Sequence, residues 1–451
     1  MTENVTLDRE TKQSTKVSMV ILAAGIGTFL DYFDFDLSSL AAVIIWPAVF
    51  FSTIHSPAVA LMLSISTWVL GFVVRPVGGI IFGHLGDKIG RKGTLVITLL
   101  TMGIGTLGIG LDPNTASIGV SAIVLLLLFR AFQGLGIGGE WGGATSWVIE
   151  AANKSKHRIF LSSFVAVSDF VGGVANTAVF LALVLLIPHA ALLAWGWRVA
   201  YYVGFAVAIA GIIIRTRVAE SGFFRLFQQK TGVLKSPITT MFKKHWRTLF
   251  IAGGIGLISQ VANYVMIFTV GYSETLFHTH FSIVMWGLLF GVITAMFASL
   301  LGGFLAQTIG AKWAIVISGV LSAVWVFPEF ILVNTQVTGL IWLSFIGAGL
   351  FCNISMGAIV SYFAAMFPTS VRYSGVGMSY QVATLVGSGL GSELAAFFLV
   401  IYGHLAWMAI GTMTVVYMII AVIATLISKD KTLEDLSSVA GGSSRPSTGA
   451  K

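Results

Sequence analysis

Twelve apolar runs, each long enough to cross about 30 Å of hydrocarbon, constrain this chain more than any other feature. They lie at approximately 17–50, 57–84, 93–111, 119–149, 158–187, 195–216, 247–273, 282–306, 312–333, 338–366, 372–402 and 405–428. In lipid every backbone N–H and C=O must be satisfied internally, so runs of this length are expected to be helices. The expected fold class is therefore an all-α membrane protein with twelve transmembrane helices. Composition agrees, with 56% hydrophobic and 10% charged residues against about 25% charged in a soluble domain. Runs longer than the minimum are expected to tilt or protrude. Met1 to Lys16 is polar and mixed in charge, and the apolar run after it is too long for a signal-peptide core.

All but three of the 26 Lys and Arg residues fall in the N-terminal stretch, the even-numbered connections, the C-terminal stretch or their margins. The exceptions are Arg75, Arg130 and Arg198. By the positive-inside rule both termini are expected in the cytoplasm and the protein in the plasma (inner) membrane. The net charge of +8 then reflects topology rather than a nucleic-acid surface. The expected organisation is a cytoplasmic tail at 1–16, a six-helix bundle at 17–216, a cytoplasmic linker at 217–246, a second six-helix bundle at 247–428 and a disordered tail at 429–451. The single cysteine, Cys352, excludes an intrachain disulfide framework and a multi-cysteine metal site. No cofactor is expected.

The halves echo each other. GHLGDKIGRK at 83–92 aligns with GFLAQTIGAK at 303–312, an offset of 220 residues. Two such repeats describe a carrier whose substrate site lies between the halves near the midplane. The second copy has lost its charges, with Gln307 where Asp87 stands and Ala311 where Arg91 stands.

Ionisable residues inside a bilayer are costly and call for an explanation. Asp31 and Asp34 in span one share a helical face, while Asp36 points elsewhere. A buried carboxyl beside a like charge suits proton uptake and release, and Asp34, near mid-span, is the expected coupling residue, with Asp31 second. Arg75 in span two and Arg130 in span four can clamp a carboxylate through their fixed guanidinium fork. For each of these groups a permanent ion pair that fixes helix packing is the competing reading. Gln133 lies one turn from Arg130, and Tyr264 and Gln381 are polar residues within spans seven and eleven that could line a cavity or bond helix to helix. Glu140 and Glu150 belong to the cytoplasmic side of span four, and Asp169 in span five could face the cavity or pair with Arg130. Glu329 and Glu393 lie nearer the outer ends, where solvation is the plain expectation. Gly134, Gly136 and Gly139 satisfy G-x-G-x-x-G, but inside a span they serve close helix contact and not nucleotide binding.

Five segments together resemble one family. FVVRPVGGIIFGHLGDKIGRK at 72–92 looks like the loop between helices two and three of major facilitator superfamily transporters, extended as in the metabolite:proton symporters. GTFLDYFDFD in span one, RAFQGLGIGGEWGG in span four, WGWR at 195–198 and PTSVRYSG at 368–375 resemble further family segments in order. The resemblance implies two pseudo-symmetric six-helix bundles, uptake of small polar organic solutes with protons, and a monomer. It places Tyr32 at an aromatic position of span one beside substrate, and makes Asp87 and Arg91, with Glu140 and Glu150, the cytoplasmic gate. Ala365 departs from the family's acid there, which, with Gln307 and Ala311, puts a two-sided gate in doubt.

The expected function is proton-coupled import of a small organic acid by alternating access, with carboxylate-bearing substrate, protons and lipid as partners and no nucleic acid. A betaine-like zwitterion symporter is the alternative, followed by an efflux carrier or a non-transporting receptor. No constellation of catalytic residues is in view, so an enzyme is not expected.

Overall fold

The computed structural model describes residues 17–89, 91–152, 155–217, 237–368 and 371–432, without the side chains of 83, 84, 86–89, 91, 92, 95, 215–217, 237–240 and 262. Asp87 and Arg91, most of the expected linker and most of the expected tail thus lie outside the described side chains. Among the described residues the structure is helical throughout, with no strand. The first half runs α1 (Val17–Ile44), α2 (Pro57–Ile89), α3 (Arg91–Leu111), α4 in two pieces (Ser121–Ile137 and Trp141–Ala152), α5 (Arg158–Leu186) and α6 (Trp197–Arg217). The second runs α7 (Trp246–Phe277), α8 (Phe281–Thr308), α9 (Ala311–Asn334), α10 (Thr338–Met366), α11 (Arg372–Ala383 and Gly391–Tyr402, joined by a π-helical stretch Thr384–Leu390) and α12 (Ala406–Ile427). These form the expected pair of six-helix bundles. The apolar stretch Arg372–Ile427 is too long for one crossing, and Gly403, at φ +53°, turns the chain between α11 and α12.

Glycines set how closely helices approach where the site is built. A Cβ at Gly138 would collide with the Arg75 carbonyl oxygen, and one at Gly134 with that of Gly71. The α2 and α4 backbones therefore touch, and α4 breaks between Ile137 and Trp141 where Gly138 and Gly139 offer no helix propensity. Further down the same helix, Gly142 lies 2.9 Å (as an added Cβ) from Gly377 of α11, so α4 also closes on the other half. Elsewhere the halves meet where α5 packs on α8 and α10, and α11 on α2.

Some expectations need correction. Trp195 and Trp197, at the outer end of span six, are both expected as interfacial anchors; Trp195 is exposed, but Trp197 is fully buried against Phe50 and Tyr201, because the turn Leu192–Gly196 rotates it inward. Glu329 is not solvated: it is 3% exposed, carried inward on α9. Glu393 is tied across the halves, accepting a 2.8 Å hydrogen bond from Ser66. The start of the C-terminal tail is held down, since Arg158 donates to the Thr432 carbonyl at 2.6 Å and Asp430 accepts from the Lys312 backbone N–H at 3.1 Å.

Candidate functional site: a closed polar cavity between the halves

Residues from both halves converge on a cavity of about 40 Å³. Tyr32 and Asp36 reach it from α1, Phe170 and Asn176 from α5, Gln260 and Asn263 from α7, and Asn353 from α10. About 10–15 Å³ admits one water, whereas ligand sites run to about 300 Å³ and above. The space therefore fits a few waters, and a metabolite needs the helices to part. Asn176 is fully buried with neither amide atom hydrogen-bonded to protein, so its donor and acceptor are available to whatever enters.

Behind the α1 wall lies a charged network wholly within the first bundle. Arg130, 0% exposed, donates from one guanidinium nitrogen to Gln133 Oε1 at 2.5 Å and from the other to the Trp68 carbonyl at 2.9 Å. Gln133 Nε2 donates to Asp34 Oδ2 at 3.2 Å, and Thr106 donates to the other oxygen of Asp34. Ser38 completes the Gln133 shell at 3.0 Å. Gln133 thus stands between the buried acid and the buried base, so neither is a simple ion pair. Phe35 lies between the two arginines: the Arg75 guanidinium carbon is 3.8 Å from its ring centre and that of Arg130 is 4.9 Å away. Asp31, Asp36, Tyr32 and Tyr380 are close enough for their charge to act on Arg75.

Among the residues expected to bind substrate, Tyr32 lines the cavity. Arg75, Arg130 and Gln133 are not among the residues that line it. Tyr264 is turned into the second bundle, its hydroxyl 3.0 Å from that of Thr414. Gln381 bridges the halves by donating to the Gly138 carbonyl at 3.2 Å. Asp34 and Asp36 sit on opposite sides of α1, so Asp36, and not Asp34, reaches the cavity. Asp169 does not meet Arg130; it accepts from the Trp141 indole at 3.4 Å. The sequence reading passed over Phe35, Thr106, Ser38 and Asn176. Asn176 could have been found, since Asp169, Gly172, Gly173 and Asn176 share one face of α5.

Contacts between the halves lie on either side of the cavity. At the face that carries Lys156, Arg158 and Lys312, Arg372 pairs with Glu150 at 3.3 Å, and Tyr373 donates to the Gly139 carbonyl. Glu140, expected at this gate, is buried at the break in α4. At the opposite face Ser66 and Glu393 join α2 to α11. The cavity thus lies between the two bundles, with contacts that join the halves on either side of it.

Comparisons with known proteins agree with this geometry. Residues 19–236 match the family model described as sugar (and other) transporter. The chain is 33% identical, over 88% of its length and 92% of the relative's, to the inner membrane metabolite transport protein YhjE of Escherichia coli. It is 30% identical to the shikimate transporter of Escherichia coli, covering 94% of this chain and 97% of that one. It is also 30% identical to the glycine betaine/proline/ectoine/pipecolic acid transporter OusA of Dickeya dadantii, over 85% and 77% of the two chains. In fold it is similar to a partially occluded, inward-open structure of the xylose transporter XylE from E. coli, with a TM-score of 0.68 at 15% identity over 91% of this chain and 97% of that one. This chain belongs to the major facilitator superfamily of transporters, in its metabolite:proton symporter family.

Proposed function

We propose that this protein imports a small, carboxylate-bearing metabolite together with protons by alternating access, with both termini in the cytoplasm. The observation that carries the reading is the closed midplane cavity backed by Asp34, Gln133 and Arg130. In this reading Asp34 takes the coupling proton. A neutral Asp34 no longer holds Thr106 and Gln133 as hydrogen-bond donors to a charge, which loosens Gln133 from Arg130. Arg75 is the cation nearest the cavity and reads the substrate carboxylate, while the free amide of Asn176 bonds neutral oxygens. Asp87, Arg91 and Glu150 keep the gate roles expected of them, with Glu150 acting through Arg372.

One observation favours a zwitterionic substrate as a second reading. The charged side chain on the cavity wall is Asp36, with Tyr32 and Phe170 as aromatic neighbours, their ring centres 6.5 Å apart. An acid beside aromatic faces suits a quaternary ammonium group, with Arg75 left to meet the carboxylate.

Purified protein in proteoliposomes, screened for proton influx on addition of organic acids, betaines and aromatic acids, tests both. A proton signal with a carboxylate that is abolished in Arg75→Gln supports the first reading. A signal confined to betaines supports the second. Substrate movement that stays proton-driven in Asp34→Asn sinks the coupling role given to Asp34.

A further inference from the structure

Directly beneath the cavity, on the side of the Glu150–Arg372 pair, four side chains from four helices form one unit. Trp141 of α4 stacks on Tyr380 of α11 with ring centres 3.9 Å apart and planes at 11°. The Tyr380 and Tyr32 hydroxyls are 2.7 Å apart. The Trp141 indole N–H points to Asp169 Oδ2 at 3.4 Å. The stack is the first layer that α4 and α11 must part to open the cavity towards this face. Trp141 is 3% and Tyr380 4% exposed, so nothing passes between them as they stand.

Asp169 is 0% exposed, and its Oδ1 has no hydrogen-bond partner. The groups whose charge or hydrogen bonds act on it are Asp31, Asp36 and Thr28 of α1 and Trp141 of α4. From α11 it faces Tyr380, and from α1 also Tyr32. Helices α8 and α10, also packed on α5, carry no Asp, Glu, Lys, Arg or His. Arg75 of α2 acts on Asp31, Asp36 and the two tyrosines. On α5 itself the next charged residue is Arg158, about three turns away. An ionised Asp169 would thus be a buried charge facing two further carboxyl groups, with no cation beside it among the described residues and one oxygen unbonded.

We propose that Asp169 binds a proton that closes the cavity towards the cytoplasm, the neutral acid holding Trp141 in its stack on Tyr380. When α4 and α11 part, water reaches Asp169, its O–H bond breaks and the proton leaves to cytoplasmic water. The resulting carboxylate is stable only while hydrated, so the stack does not re-form until a proton returns. Asp169 is a positioning residue that acts through Trp141. The proposal rests on the alternating-access reading above, but it concerns gate closure and not the coupling proton of Asp34.

The test needs no substrate. Nitroxide labels at Lys156→Cys and Ile309→Cys, in a Cys352→Ala background, report the separation of the halves at the cytoplasmic face by pulsed electron resonance in liposomes. Both labelled positions are exposed, and they sit in opposite halves. Because closure takes up one proton, the ratio of long-distance to short-distance populations is expected to rise with pH by up to about tenfold per unit. In Asp169→Asn, whose side-chain oxygen still accepts from Trp141, the ratio is expected to stay low and change less than about twofold from pH 5 to pH 8. A slope in Asp169→Asn equal to that of the parent overturns the proposal. If Asp169→Asn does not insert, Trp141→Phe decides: it keeps the stack and loses the N–H, so the long-distance population at pH 5 must rise, and an unchanged population overturns the proposal. Asp34→Asn run alongside separates the two readings. A slope that vanishes with Asp34 and survives without Asp169 sinks this inference and leaves proton-coupled transport standing. A slope lost with Asp169 in a protein that moves substrate without protons does the reverse.

Discussion

At the scale of single residues, the site divides into side chains already satisfied by the protein and side chains that wait. Arg130 is held through both terminal guanidinium nitrogens and Gln133 through both amide atoms by neighbours in the first bundle, with only Arg130 Nε left unbonded. Asn176 is the opposite case, with a buried amide that has no protein partner. A buried unbonded amide costs about 1–3 kcal/mol, so water or substrate must occupy it in the working protein. Asn176→Ala removes no hydrogen bond to the rest of the protein. We expect it to raise KM by roughly five- to thirtyfold, equivalent to about 1–2 kcal/mol, with the thermal midpoint unchanged. Transport kinetics and thermal unfolding of one preparation check this together. Asp36 shows why the sequence could mislead about a single residue. Its spacing from Asp34 puts the two on opposite sides of α1, but spacing does not say which side faces the other half.

At the scale of elements, α4 is the part on which the site turns. Its upper piece carries Arg130 and Gln133 into the first bundle, and its lower piece carries Trp141 and Glu150 to the second. The break between them sits where Gly138 lies against the α2 backbone. Gly138→Ala drives a methyl group into the Arg75 carbonyl and to 2.8 Å from the Gly79 nitrogen. Because both obstacles are backbone, the helices must separate, and we expect a loss of about 1–3 kcal/mol and a lower thermal midpoint in detergent. Gly339→Ala is the matched control: a Cβ there meets nothing within 4 Å in the first turn of α10, and helix propensity favours alanine by about 0.5–1 kcal/mol. The element boundaries were legible because the runs of apolar residues end at short polar stretches, several of them marked by a charge, a proline or a glycine. The break in α4 was not, since the same glycines read equally as a tight helix–helix contact, and they serve both purposes.

At the scale of the whole molecule, the two halves are latched at both faces by unequal means. One face has a hydrogen bond between Ser66 and Glu393; the other has the Glu150–Arg372 ion pair, the Tyr373–Gly139 bond and the Trp141 stack. Arg372, 2% exposed, also donates to the Ala364 carbonyl at 2.9 Å, which fixes it within its own half while it reaches across. Arg372→Gln is expected to weaken the contact between the halves at its own face by on the order of 1–2 kcal/mol, a five- to thirtyfold shift towards the open state. The distance measurement described above reads that shift directly, and no change in population would remove Arg372 from the gate. What the sequence alone determined is the helical spans and the presence of buried charge, because the cost of placing polar groups in hydrocarbon acts on each segment separately. Only the tertiary structure decided that Gln133 stands between Asp34 and Arg130, that Asp36 and Asn176 face the cavity, and that Asp169 meets Trp141. Those outcomes depend on how each helix is rotated about its axis, and that rotation is set by side-chain packing and glycine contacts between segments distant in the chain, which no single segment encodes.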